Sequence, residues 1–134
     1  MSLFSNLELM LYRASLFEGL WQSTSIVVAD ADGGEVLAAS PSFLAMFGYT
    51  ADDLDGETID RFVPEALRDR HRQHRATFAA APRIRPMGAP GMDLLGQRKD
   101  GSTFPVAIQL SPTTIDDDRA VVIGIVVDLG GRAA

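Results

Sequence analysis

Leu3, Leu7, Met10, Ala14, Phe17 and Trp21 recur at 4-3-4-3-4 spacing, a heptad-like stripe that predicts an amphipathic helix over Leu3–Trp21. Phe4, Leu9, Leu11, Leu16 and Leu20 widen the stripe beyond a single seam. A helix apolar over so much of its circumference has to be covered on two sides, by its own domain and by a second chain. Burial of the whole helix in one core is the plainer alternative. A β-branched run, Ser25–Ala29, then meets the turn residues Asp30-Ala31-Asp32-Gly33-Gly34, and Glu35–Ala39 follows, which predicts a β-hairpin.

Ser40-Pro41-Ser42 opens a short helix carrying Phe43, Leu44, Met46 and Phe47 and stopped by Gly48. Thr50 is placed to cap a further turn by accepting from the amide of Asp53. Pro64 starts a longer helix that Pro82 must end. Its inward stripe reads Leu67, His71, His74 and Phe78, with Arg68, Arg72 and Arg75 on the outer face. Pro82–Gly91 reads as a loop of restricted backbone, and three strands close the chain. Met92–Gln97 leads through Asp100-Gly101 into a strand whose Phe104, Val106, Ile108 and Leu110 alternate with outward residues. Beyond a polar turn at Asp116-Asp117-Asp118, Ala120–Asp128 is nearly all apolar and is expected in the middle of the sheet. Helix, two strands, a block of helices, three strands: that order predicts an antiparallel α+β domain with helices over one sheet face.

At 134 residues the chain is long enough for one domain with one core. It has no cysteine, which removes disulfides, thiolate metal sites and cysteine nucleophiles and fits a reducing compartment. No apolar run approaches the ~18 residues of a membrane span and no basic segment precedes a short greasy one, so a cytoplasmic chain with no membrane segment is expected. The net charge of −6 opposes a nucleic-acid binder. Arg61, Arg68, Arg70, Arg72, Arg75, Arg83 and Arg85 are nonetheless clustered, either as a solvated face or as a docking surface for an acidic partner. Enzymatic readings lack parts: there is no Gly-x-Ser-x-Gly elbow, P-loop or dinucleotide fingerprint. The three aspartates at a hairpin tip have too few companions for a cation site.

The segments VLAASPSFLAMFGYTADDLDG, FVPEALRDRHRQHRATF, RPMG, GQRKDGSTFPVAIQLSP and VVIGIVVDLG, taken in order, resemble bacterial PAS domains from about Ser23 to Leu129. The resemblance implies a five-stranded antiparallel sheet of order 2-1-5-4-3 with helices enclosing a small cavity on one face. It divides the chain into a flanking helix, 1–22, and a PAS domain, 23–130. Members of the family serve as signal-input domains of histidine kinases, cyclic-dinucleotide enzymes and transcription regulators, and commonly dimerise through the flanking helix. A homodimer through Leu3, Leu7, Met10, Ala14, Phe17 and Trp21 is therefore expected, acting on a kinase or other effector domain in cis or in trans. Ser40 stands where the family often has asparagine, and a serine can cap the same helix.

The resemblance also frames the ligand question. His71, His74, Phe78 and Ile108 are expected to line the cavity between helix and sheet, with Met87 and Met92 near its mouth. A small organic ligand, or none, is the leading expectation, without catalysis. A flavin photosensor of the LOV type needs an adduct-forming cysteine, which this chain lacks. Haem is the alternative: His71 lies where oxygen-sensing haem members supply the proximal ligand, and neutral imidazole is the right ligand type. Met87 or Met92 could serve as a second axial ligand. Against this, those sensors carry an arginine on the next strand to hold the gas, where Met92 stands here.

Overall fold

The computed structural model describes residues 6–73, 85–87, 94–115 and 118–130. The first helix, α1, spans Asn6–Ser23. Its end is closed by the Ser23 hydroxyl donating to the Gly19 carbonyl at 2.7 Å and by the Thr24 amide donating to Leu20 at 2.8 Å. The hairpin follows as β1, Ile26–Asp30, and β2, Val36–Ala39. The Asp30 carboxylate holds the turn by accepting from the amides of Asp32 and Gly33.

Helix α2, Pro41–Phe47, begins at Ser40 and ends at Gly48, whose φ of 79° is the left-handed conformation that glycine adopts without penalty. Ser40 is fully buried and unites three segments. Its hydroxyl accepts from the Ile26 amide at 2.8 Å and the Phe43 amide at 3.4 Å, and donates to the Thr24 carbonyl at 2.6 Å. The helix start is thereby bolted to the first residue of β1. Thr50 and Asp53 cap each other: the Asp53 amide donates to the Thr50 hydroxyl, and the Thr50 amide to the Asp53 carboxylate.

Short 3₁₀ turns occupy Asp52–Leu54, Ile59–Phe62 and Glu65–Leu67, and residues 68–73 are helical. Leu67, expected on the inward stripe, is exposed. It sits in the tighter 3₁₀ turn, where side chains advance 120° rather than 100° per residue, so an α-helical stripe loses phase before the helix begins.

The remaining strands are β3, Arg85–Met87; β4, Leu95–Gln97; β5, Thr103–Ile115; and β6, Arg119–Asp128. Along the sheet the order is β2-β1-β6-β5-β3, with β4 also on β5. All pairs are antiparallel, β3 pairing with Ile108–Leu110 and β4 with Thr103–Pro105. The two short segments together fill the place of one edge strand, so the architecture is the expected five-position order 2-1-5-4-3. Segment β3 was expected as loop; Pro86 conceals it, and a proline is tolerated there because β3 lies at the sheet edge. Strand β6, between β1 and β5, is central as expected.

The core is aromatic. Phe43, Phe47, Phe62, Tyr49 and Phe104 are buried together with Leu54, Val106 and Val126. Phe43 and Phe47 stack at 4.5 Å, and Phe62 lies edge-on to Phe43 at 4.9 Å. Such offset and edge-to-face pairs add to what burial alone contributes.

Candidate functional site

Period-two alternation sends Val27 and Ala29 of β1, Val106, Ile108 and Leu110 of β5, and Val122 and Val126 of β6 to the same sheet face. Phe43 and Phe47 of α2, and Ile59 and Phe62 of the second 3₁₀ turn, stand opposite. These layers do not close completely. They leave a cavity of about 160 Å³, completed by Leu94, Leu95 and Gly96 and by His71. Gly96 packs closely against the core rings: a Cβ there would lie 3.0 Å from the Phe47 ring and 3.2 Å from the Phe104 ring, so the rings would have to give by a few tenths of an ångström.

The lining is overwhelmingly apolar, with ionisable side chains only at Asp30 and His71 among the described residues. Asp30 is committed to its turn: Oδ2 accepts from the Asp32 and Gly33 amides and Oδ1 from Arg119 at 3.4 Å. The Gly33 amide, foremost, holds this carboxyl below its usual range. His71 is tied differently. Its Nδ1 lies 2.6 Å from Oδ1 of Asp60, a buried carboxylate whose Oδ2 accepts from the Thr58 hydroxyl at 3.3 Å. A buried carboxylate is costly unless donors surround it, and the ring supplies one. The proton therefore sits on Nδ1, directed at Asp60, and Nε2 is the imidazole's other polar atom.

Of the residues expected at the cavity, His71 and Ile108 are on its wall. His74, Phe78 and Met92 lie outside the described residues, and Met87 is described only as a backbone position of β3. Asp60 was not foreseen. Within Thr58-Ile59-Asp60-Arg61-Phe62 it reads as an ordinary surface carboxylate, and no local signal sets it apart. Phe43 and Phe47 were legible as apolar positions but not as cavity wall, and Phe62 was not singled out.

Of the expected association residues, Ala14 and Phe17 are exposed and Trp21 is half-buried. Leu3 lies outside the described residues, and for Leu7 and Met10 only the helix backbone is described. Leu11, Leu16, Phe17 and Leu20 are each at least half exposed, and Phe17 stacks on Trp21 at 6.1 Å. No described helix is long and apolar enough to cross a membrane, and no group of three or more potential metal ligands occurs among the described residues.

A family model for the PAS domain matches residues 23–130. Among solved structures, the PAS domain of an HTR-like protein from Haloarcula marismortui superposes with a TM-score of 0.69 at 24% identity, covering 88% of this chain and 98% of that one. A LOV protein from Rhodobacter sphaeroides gives 0.66 at 20% identity over 90% of this chain and 70% of the other. A PAS domain from a two-component sensor histidine kinase gives 0.62 at 12% identity, covering 90% and 98%.

Proposed function

The chain belongs to the PAS domain family, and from that premise we propose that it is a non-catalytic signal-input domain of a bacterial signalling protein such as a histidine kinase. It acts in the cytoplasm, on an effector or kinase domain in cis or in trans. The observation that carries the sensory reading is the cavity of about 160 Å³ within a core otherwise filled by aromatic rings. Protein interiors are close-packed, so a void of this size, whose described lining is apolar apart from Asp30 and His71, reads as a site for a small molecule rather than a packing remainder. The exposed apolar side chains of α1 support the second half of the proposal, association of two copies through that helix.

A flavin held through a cysteine adduct is excluded by composition. Haem fits in one respect, because a carboxylate behind Nδ1 of His71 is the arrangement that orients a metal-ligating imidazole. It does not fit in size. Pockets for drug-sized ligands run from roughly 300 to 1,000 Å³; this cavity is about 160 Å³, and a haem is larger than most such ligands.

The test is a thermal-shift comparison of the full chain and Ile108→Phe with one-ring aromatic probes such as toluene and phenol. Saturable stabilisation of the wild type follows from binding to the folded state, and its loss in the variant, whose larger side chain fills the cavity, is the expected result. Equal shifts in both proteins would place binding elsewhere.

A further inference from the structure

We infer that the Asp60–His71 pair is a polar anchor on the cavity wall and that the cavity accepts a single-ring aromatic molecule bearing one hydroxyl, a phenol-type ligand. The inference rests on the proposed ligand-binding reading and adds the chemistry of what is bound.

Size sets the first limit. An apolar cavity of ~150 Å³ in another protein takes up benzene, and the volume here, about 160 Å³, admits one ring with a small substituent. Shape and surface set the second. Phe43, Phe47 and Phe62 border the space, their mutual centroid distances running from 4.5 to 5.1 Å. Another aromatic ring meets such neighbours in the offset and edge-on geometries they already adopt among themselves.

Polarity sets the third. Asp30 is engaged with its turn amides and Arg119, which, among the described residues of the wall, leaves the imidazole as the ionisable side chain that can answer a polar group on the ligand. Because Nδ1 donates to Asp60, the atom offered to a ligand is Nε2, an acceptor in neutral imidazole and a donor in imidazolium. A hydroxyl both donates and accepts, so it satisfies Nε2 in either state. A carboxylate on the ligand would bring a second negative charge beside the buried Asp60 and into an apolar wall, which disfavours it.

The experiment is calorimetric titration of the full chain with phenol, toluene and benzoate, repeated on His71→Leu. The ¹⁵N shifts of the imidazole are recorded in parallel with and without phenol. One net hydrogen bond corresponds to roughly a fivefold preference for phenol over its near-isostere toluene. That preference, weaker binding of benzoate, an Nδ1-protonated ring and a phenol-dependent Nε2 shift are expected, with the preference lost in His71→Leu. Equal binding of phenol and toluene by the wild type, or benzoate as the tightest of the three, would overturn the phenol assignment while leaving an apolar ligand cavity in place. No saturable binding of any probe, toluene included, would overturn both. The wild-type discrimination and the imidazole shifts do not depend on the variant's folding.

Discussion

Ser40 shows how one small side chain can fix a local fold. Its hydroxyl serves the amides of Ile26 and Phe43 and the carbonyl of Thr24, all at a position with no solvent exposure. Replacement by alanine removes a helix cap and leaves a buried donor and a buried acceptor unanswered. Ser40→Ala should therefore lower stability by roughly 2–3 kcal/mol, read as an earlier denaturation midpoint at an unchanged slope. Asp53 makes a pH-dependent contribution. The Thr50 amide, then the ammonium of Lys99 at 3.0 Å, hold its carboxyl down at about 2, against an ordinary 3.8. A depressed carboxyl stabilises the fold above its unfolded value, and the contribution disappears as pH falls from about 4 toward about 2. Thermal melts of wild type and Asp53→Asn should accordingly differ near neutral pH and converge across that window. A difference that persists unchanged at pH 2 would contradict this reading. The capping role of Ser40 and the Thr50–Asp53 pair were readable from residue type and spacing, because caps are local. The Asp60–His71 pair was not: its partners are eleven residues apart and meet only once two 3₁₀ turns and a helix start are in place.

The elements differ in legibility for a related reason. β1, β2, α2, β5 and β6 announced themselves through alternation, turn residues and caps, which act within a few residues. Strand β3 did not, since three residues with a central proline carry no period, and its pairing is dictated by β5 from across the chain. The exposed Leu67 marks the same limit, a stripe counted at α-helical spacing through residues that form a 3₁₀ turn. The helix α1 forms as expected, but its apolar residues are spread around its circumference rather than gathered into one stripe. Leu11, Leu16, Phe17 and Leu20 are too exposed to be held by the domain's own core. Sedimentation of the full chain is expected to report a dimer. Phe17→Asp together with Leu20→Asp should shift it to monomer with the circular dichroism of the sheet retained, since neither side chain is part of the core. A wild type that remains monomeric at high micromolar concentration would remove α1 from the association surface.

At the scale of the molecule, aromatic packing joins the sheet to the helical layer among the described residues, and the void beside it carries the histidine whose Nδ1 faces a buried carboxylate. Its existence could not be read from the sequence, because whether facing layers fill the space between them depends on the sum of side-chain volumes across seven elements rather than on any segment's pattern. In the proposed function, this void receives a small molecule. The most direct measurement is a ¹H–¹⁵N correlation spectrum of the full chain titrated with phenol. Saturable shifts that fit one dissociation constant and concentrate at the amides of Val106, Ile108, Val126 and His71 around the cavity are the expected result. Shifts that fail to saturate, or that gather on α1 and the outward positions Gln109 and Val127 while the cavity amides stay still, would contradict it.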